Sequence, residues 1–198
     1  NPPYIAGIAR SKAIYSIIYN DRGHHKEALR YATDALVLSK EIDDKAICEL
    51  AYGVIGNVHR KLGDYVAAMN VHLEQIKIAR MIANRHSEAA ALNSIGLVHT
   101  YNNQEEQAIV YFEQSLEILN KLNNIVSTIP ILNNLCAANA TLGRYDVAMQ
   151  YAHAALTACQ QTGRKFEAIK IQNNLGEMHK DLNRPRLALY SLRAAQYL

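Results

Sequence analysis

Asparagine side chains recur at a forty-residue spacing along this chain of 198 residues. They form two adjacent rows, with Asn93, Asn133 and Asn173 in the first, and Asn134 and Asn174 in the second, where Ser94 takes the remaining position. A side-chain amide donates and accepts hydrogen bonds, as a peptide backbone does. The rows therefore fit two interpretations. They pair with an extended polypeptide whatever its side chains, or they bond each other and nearby backbone across stacked helices.

The other residue types that carry chemistry do not form a catalytic or metal-binding pattern. The sequence has no H-E-x-x-H, no Walker loop, no G-x-S-x-G and no paired-carboxylate motif. Three of the eight histidines share one position of the repeat described below, and we expect them to pack between helices with one ring nitrogen bonded: His59, His99 and His179. We expect no enzyme activity, no cofactor and no metal.

Composition limits the class of protein further. The chain is 49% hydrophobic and 20% charged, which suits a folded domain. Its net charge of +3 is mild and Lys and Arg never occur three in a row, so we expect no nucleic-acid partner. No apolar run approaches the roughly 18–20 residues of a membrane span. Three cysteines without a C-x-x-C pair indicate a reducing, cytoplasmic setting. Because no initial Met is present, we expect a fragment of a larger protein.

A forty-residue period organises the whole chain. Alanine marks each copy, at Ala28, Ala68, Ala108, Ala148 and Ala188. Five residues earlier stands Gly or Asn, the residues that tolerate the left-handed conformation at a helix end: Gly23, Gly63, Asn103, Gly143 and Asn183. Twelve residues before each alanine stands a small residue: Ser16, Gly56, Gly96, Cys136 and Gly176. In that position we expect Cys136 to be buried and unreactive.

The period predicts helical hairpins that stack. Apolar residues recur at helical spacing before each turn, and a second helix follows it. Small residues on both helices, such as Gly96 and Ala108, allow close crossing. The predicted helices span 4–20, 24–41, 44–61, 65–82, 85–101, 105–121, 126–142, 145–162, 165–182 and 185–198. Asp43 and Asp44 fit a helix cap. Around Pro130, either the helix starts late, with Ser127 or Thr128 as cap, or it kinks.

The repeat resembles the tetratricopeptide repeat. Residues 92–112 read Leu-x2-Ile-Gly-x2-His, then Asn103, then Ala-x3-Phe, against W-x2-L-G-x2-Y and A-x3-F in that family. The turn recurs as "LGDY" at 62–65 and "LGRY" at 142–145. The leading Trp and closing Pro are absent, and the period of forty exceeds the usual ~34. This longer form is similar to repeats of kinesin light chain and of bacterial signalling proteins. HEAT and armadillo repeats are the alternatives, and the Gly/Asn turns favour tetratricopeptide repeats.

The resemblance implies an all-α, right-handed superhelix, or solenoid, of five helical hairpins in one domain. The repeats then span approximately 4–43, 44–83, 84–123, 124–163 and 164–198. It also implies that the first helix of each pair lines a concave groove in which partner peptides lie. Asn134 and Asn174 match the position whose Asn grips the peptide backbone in peptide-binding relatives. Ser94 matches it less well, and Ile14 and Val54 do not match.

We therefore expect a protein-interaction or sensory scaffold of a bacterial-type signalling protein, binding a protein or peptide segment. The predicted groove residues are Asn57, Arg60, Asn93, Asn133, Asn134, Asn173, Asn174 and Lys180. Two alternatives stay open, a structural spacer or dimerisation element, and a small-molecule sensor that gates a cyclase, kinase or DNA-binding domain. The last helix is apolar on most sides, so we expect a further helix of the full protein or a second copy of the chain to cover it. In the second case a homodimer forms through Leu187, Leu189, Tyr190, Leu192, Tyr197 and Leu198.

Overall fold

Ten helices account for almost all of residues 2–196, the part of the chain that this computed structural model describes. They are α1 Pro2–Asp21, α2 His25–Glu41, α3 Lys45–Lys61, α4 Tyr65–Met81, α5 Arg85–Tyr101, α6 Glu105–Lys121, α7 Ile125–Thr141, α8 Tyr145–Thr162, α9 Lys165–Asp181 and α10 Pro185–Gln196. No strand occurs among the described residues. The all-α prediction is confirmed, and the helix bounds lie close to the predicted ones.

The chain reverses at residues with left-handed backbone geometry. All five predicted turn residues have positive φ angles: Gly23 (78°), Gly63 (81°), Asn103 (55°), Gly143 (72°) and Asn183 (53°). The connections between hairpins use the same geometry, at Asp43, Ala83, Asn123 and Gly163. Asp44, predicted as a cap, accepts a hydrogen bond from the Ile47 N–H at 3.0 Å and so begins α3. A reversal therefore occurs every twenty residues.

Helix α7 begins at Ile125, earlier than the late start that was one of the two predictions for it. The side chain of Asn124 accepts a hydrogen bond from the Ser127 N–H at 3.1 Å and caps the helix. The prediction that Ser127 or Thr128 caps a later start is wrong, because Asn124 already satisfies that N–H. Pro130 consequently lies inside α7. Proline has no N–H, so the carbonyl of Val126 lacks the donor that a regular helix would provide.

The helices divide into two compact units, unit 1 (Asn1–Asn102) and unit 2 (Asn103–Leu198). Unit 1 contains α1–α5, and two of its buried clusters join side chains of α1, α2 and α3, including Ala9, Ala13, Ala28, Ala32, Ala35, Ile47, Ala51, Val54, Ile55 and Val58. Unit 2 contains α6–α10, and its core joins α7, α8 and α9 through Ile129, Leu132, Cys136, Ala148, Ala152, Ala155, Cys159, Ile171, Leu175 and Met178. The single-domain description stays a prediction.

In two of the first helices, a glycine makes room for a side chain of the second helix. A Cβ on Gly56 would lie 2.6 Å from Cε1 of His72. In unit 2, a Cβ on Gly176 would lie 3.0 Å from Leu192, with the Ala188 carbonyl oxygen at 3.6 Å. The crossing alanines are buried, and at these two crossings the residue four positions after the alanine fills the space that glycine leaves.

A buried polar chain extends from this crossing in unit 1. His72 is fully buried, and its Nδ1 lies 3.0 Å from Gln75 Oε1. The Gln75 amide donates to Glu49 Oε1 at 2.7 Å, and Glu49 is 2% exposed. His72 Nε2 has no hydrogen-bond partner. These contacts hold the imidazole against Gly56 and leave it little room to move.

Replacing Gly56 with alanine is expected to destabilise unit 1. The new methyl group would overlap the His72 ring, which the hydrogen bond to Gln75 holds in place, and overpacking of this kind costs about 1–3 kcal/mol. The matched control is Gly7→Ala on α1, where a Cβ meets nothing within 4 Å and alanine adds about 0.5–1 kcal/mol of stability. Urea unfolding measures both. Equal effects of the two substitutions would contradict the crossing geometry.

Stability is expected to fall with acid because of His72. Burial lowers the pKa of its imidazole from 6.5 to about 4, and the nearby charge of Arg60 adds to this while the Gln75 hydrogen bond opposes it. The unfolded chain takes up the proton first, so the contribution is intact above about pH 6.5 and is lost progressively towards pH 4, by about 3 kcal/mol in total. His72→Phe introduces the residue found forty positions later, Phe112. Unfolding free energies measured between pH 7 and pH 4.5 should decrease less in this variant, and parallel decreases would refute the assignment.

Candidate functional site

The first helices of unit 1 lie side by side and present one polar surface. Lys61 on α3 donates to the backbone carbonyl and side-chain oxygens of Asn20 on α1, both at 3.1 Å. Ser94 on α5 approaches Asn57 Oδ1 on α3 at 3.5 Å. We call the surface of α1, α3 and α5 the first-helix face of unit 1. Of the predicted groove residues it carries Asn57, Arg60 and Asn93, all half-buried.

Arg60 packs against aromatic rings on this face. Its guanidinium lies 5.8 Å from the centre of the Tyr101 ring. Tyr101 in turn stacks on Tyr65 of α4, with ring centres 5.7 Å apart and planes at 8°. The Nε of Arg60 is buried and has no hydrogen-bond partner. The aromatic contact therefore fixes the position of a cation whose donor group is unused.

In unit 2 the two asparagine rows meet. The Asn174 amide of α9 donates to Asn133 Oδ1 of α7 at 2.9 Å. Beside this pair, a cavity of about 130 Å³ lies between the two first helices, lined by Ile129, Pro130, Asn133, Asn134, Glu167, Lys170 and Ile171. We call the surface of α7 and α9 the first-helix face of unit 2. Asn133, Asn134 and Asn174 are half-buried there.

The amide pair fits the stacking interpretation of the asparagines directly, because one amide bonds another across neighbouring helices. It also leaves hydrogen-bonding capacity on both residues. An amide group carries two N–H donors and a carbonyl with two lone pairs. The bond between Asn174 and Asn133 uses one donor of the first and one lone pair of the second. A bound polypeptide could therefore pair with the remaining groups without disrupting the stack.

The remaining predicted groove residues are less constrained. Asn173 and Lys180 are exposed on α9. Lys180 forms an ion pair with Glu177, with Nζ 2.9 Å from Oε2, so its charge is already partly balanced. Nothing in the structure tests whether any of the eight residues contacts a ligand, and their binding role stays a prediction.

Two parts of these faces were not anticipated. Tyr101 occupies a repeat position that elsewhere holds Asp21, Lys61, Thr141 and Asp181, so the period gives no signal for an aromatic ring there. The cavity beside Pro130 depends on how α7 and α9 pack. The sequence showed the proline as an irregularity within one helix, but it did not show that this proline lines a cavity.

The histidines and cysteines do not create a second site. His59, His99 and His179 are half-buried, and His59 Nδ1 lies 3.3 Å from Asp64 Oδ2. Among the described residues, no group of three His, Cys, Asp or Glu side chains could hold a metal ion. Cys136 is buried as expected, and burial raises the pKa of its thiol to about 11, which keeps it in the unreactive protonated form.

Helix α10 exposes a row of large apolar side chains. Leu187 is 47%, Leu189 50%, Tyr190 74% and Leu192 38% exposed. The residues that occupy the position of Leu192 in the earlier repeats are all buried, at Ala32, His72, Phe112 and Ala152. The predicted self-association residues Tyr197 and Leu198 lie outside the described residues. None of the described helices is long and apolar enough to cross a membrane.

Comparison with known proteins agrees with this geometry. Residues 46–121 match the family model of the tetratricopeptide repeat. Residues 46–121 therefore carry tetratricopeptide repeats. Repeat proteins of this kind use extended surfaces built from successive units to bind partners, and the fold is that of a protein-interaction scaffold. No curated protein sequence matches the chain.

Solved tetratricopeptide-like structures resemble the chain over nearly its full length. BtubC (BKLC) from P. vanneervenii has a TM-score of 0.85 at 17% identity and covers 100% of this chain and 82% of its own. A Rap protein complexed with Competence and Sporulation Factor has a TM-score of 0.83 at 16% identity, covering 96% and 54%. A putative kinesin light chain from Podosopora anserina has a TM-score of 0.77 at 14% identity, covering 98% and 95%. At identities this low, the structural similarities establish the fold alone. That fold confirms the predicted repeat class.

Proposed function

We propose that this chain is a non-catalytic interaction module that binds an extended polypeptide segment along its first-helix faces. The contact residues are Asn57, Arg60 and Asn93 in unit 1, and Asn133, Asn134, Asn173, Asn174 and Lys180 in unit 2. The Asn133–Asn174 amide pair beside the cavity is the observation that carries the proposal. The amide groups of Asn133 and Asn174 have donor and acceptor capacity beyond the bond between them, which suits the repeating N–H and C=O groups of an extended chain.

The context of the proposal is intracellular signalling. One similar solved structure is a Rap protein complexed with Competence and Sporulation Factor, so a chain of this fold is known to hold another molecule. The three cysteines are free and buried, which fits a reducing compartment such as the cytoplasm. A small-molecule ligand has less support at the asparagine pair, because the cavity there, about 130 Å³, is smaller than the roughly 300–1,000 Å³ usual for ligand pockets.

Site-specific photo-crosslinking tests the binding face. A benzoylphenylalanine at position 173, exposed on α9, is expected to crosslink a polypeptide in cells that express the chain. The same group at position 150, exposed on α8, is the matched control and is expected to give none. Asn133→Ala combined with Asn174→Ala should reduce the crosslinked product at position 173 by about tenfold, since two buried hydrogen bonds contribute roughly 1–3 kcal/mol.

The outcomes separate binding from stacking. Asn120→Ala removes an exposed amide from α6 and should change nothing. Equal crosslinking from positions 150 and 173 would reject the proposed face. If the double variant loses stability but keeps its crosslink, the amides serve the stacking of helices and the binding role assigned to them is wrong.

Self-association through α10 is a second candidate function. Leu189 and Tyr190 expose large apolar areas, and contiguous apolar surface of this kind commonly marks an interface. Leu192 occupies a repeat position that is buried in every earlier copy. A second copy of the chain, packed on the same surface, would remove these side chains from water.

Sedimentation velocity over a range of concentrations tests this association. The parent chain is expected to form a dimer, and Leu189→Gln with Tyr190→Gln is expected to shift it to the monomer. Val147→Gln is the control, because Val147 is also an exposed apolar residue of a second helix, 40% exposed on α8, but lies away from α10 in the sequence. A parent chain that stays monomeric at high concentration would rule the interface out.

A further inference from the structure

A cavity of about 390 Å³ lies in unit 2, where the end of α8 meets the start of α9. This volume falls within the roughly 300–1,000 Å³ that is usual for ligand pockets. Leu156, Cys159 and Ala168 form its apolar wall, and the last two are buried. The polar side chains at the cavity are Gln160, Arg164, Lys165 and Gln172. An apolar wall with a few polar groups is the usual composition of a small-molecule site.

The cavity coincides with a loss of side-chain volume at one repeat position. Ala168 occupies a position that holds larger residues in the earlier first helices, at Cys48, Glu88 and Thr128, all of which are buried. Protein interiors are packed nearly without voids, so these side chains occupy space that the alanine leaves free. The forty-residue period therefore shows which groups fill the equivalent junctions.

In unit 1 the equivalent space contains a carboxylate. Glu88 of α5 is 2% exposed and contacts two arginines where α4 meets α5. Arg80 Nε donates to Glu88 Oε1 at 2.7 Å, and Arg85 contacts the other carboxylate oxygen. A buried carboxylate is costly unless cations and hydrogen-bond donors satisfy it, and here both oxygens are satisfied. The α4–α5 junction is therefore a carboxylate site that the chain fills itself.

The α8–α9 junction has donors at the same positions but no carboxylate. Lys165 stands forty-times-two residues after Arg85, and Gln160 stands at the position of Arg80, whereas Ala168 replaces Glu88. Lys165 forms no ion pair among the described residues. An ammonium group and a side-chain amide both donate N–H groups, which suits a carboxylate. The junction consequently lacks the anion that its counterpart in unit 1 contains.

The start of α9 also favours an anion. The first helices α3, α5 and α7 each begin at a side chain that accepts a backbone N–H, namely Asp44, Asn84 and Asn124. Arg164 stands at this position in α9 and makes no such bond, because a guanidinium has no acceptor. Its charge is balanced only loosely by Glu167, with Nη1 3.8 Å from Oε1. The first turn of α9 therefore has no side-chain cap, and an uncapped helix start attracts negative charge.

We propose that the α8–α9 cavity binds a small carboxylic acid with a short hydrocarbon chain. Lys165 and Gln160 hold its carboxylate, at the position that Glu88 fills in the α4–α5 junction. The hydrocarbon chain contacts the apolar wall at Leu156 and Cys159. The site lies between a second helix and the next first helix, so it does not depend on the proposed binding of a polypeptide. It would give the chain a small-molecule ligand of its own.

Nitrogen-15 NMR of the whole chain tests the site with three probes at equal ionic strength: sodium hexanoate, hexanamide and sodium acetate. Hexanoate is expected to shift the amide signals of Ala168 and Lys165 in a saturable manner. Hexanamide keeps the hydrocarbon chain without the charge, and acetate keeps the charge without the long chain. Each is expected to bind about tenfold more weakly or less, since each loses one of the two contacts.

Three substitutions separate the cavity from general charge. Ala168→Glu introduces the side chain that unit 1 has at this position, and it is expected to abolish hexanoate binding. Lys165→Gln is expected to weaken hexanoate binding roughly tenfold. Lys121→Gln removes an exposed cation from α6 of the same unit and should leave binding unchanged. Amide spectra of each variant verify that the fold is retained.

Each remaining outcome overturns the inference. If hexanoate shifts neither signal, the cavity does not bind such an acid. If hexanamide binds as tightly as hexanoate, the carboxylate is not recognised, and if acetate does, the apolar wall is not used. If Lys165→Gln and Lys121→Gln weaken binding equally, the attraction is diffuse charge. If Ala168→Glu keeps full binding, the acid binds outside this cavity.

Discussion

The reversal of the chain every twenty residues is the constraint on which the rest of the structure depends. Each reversal places a residue in the left-handed region, from Gly23 to Asn183. Most of the intervening helices are 17 residues long. Because the helices are equal in length and so are the turns, equivalent residues of alternate helices lie at the same level along the helix axes. That regularity is why asparagines forty residues apart in sequence become neighbours in unit 2, where Asn174 bonds to Asn133.

Within a hairpin, the volumes of two positions compensate each other. Glycine on the first helix accompanies a large residue on the second, as with Gly56 and His72 or Gly176 and Leu192. Where the second helix has only Ala152, the first has the larger Cys136, and both are buried in one core. Packing at interior density requires such compensation. A repeat can therefore vary in sequence at both positions while its helices keep nearly the same crossing, which allows His72 to introduce a buried polar chain in the second repeat.

The sequence predicted the helices, five of the reversals and the buried alanines, because each follows from local backbone preference or from period. It did not predict Ala83 with positive φ, since alanine has no preference for that geometry and only its place in the twenty-residue series indicates it. The contact of Arg60 with Tyr101 was missed, and the bond between asparagines was predicted as one of two interpretations, without the diagonal pairing of Asn174 with Asn133. Both depend on the offset between adjacent first helices, which one sequence does not contain.

The two interpretations of the asparagines are compatible on physical grounds. Stacking consumes one donor of Asn174 and one lone pair of Asn133, and amides have capacity beyond that. The same bond fixes both side chains before any partner arrives, which reduces the conformational entropy lost on binding. Arg60 is likewise held by a contact within the repeat. The Tyr101 ring positions its guanidinium, and its buried Nε has no hydrogen-bond partner. On both faces, contacts that stabilise the repeat also fix the positions of polar side chains, so the stacking role and the proposed binding role do not compete.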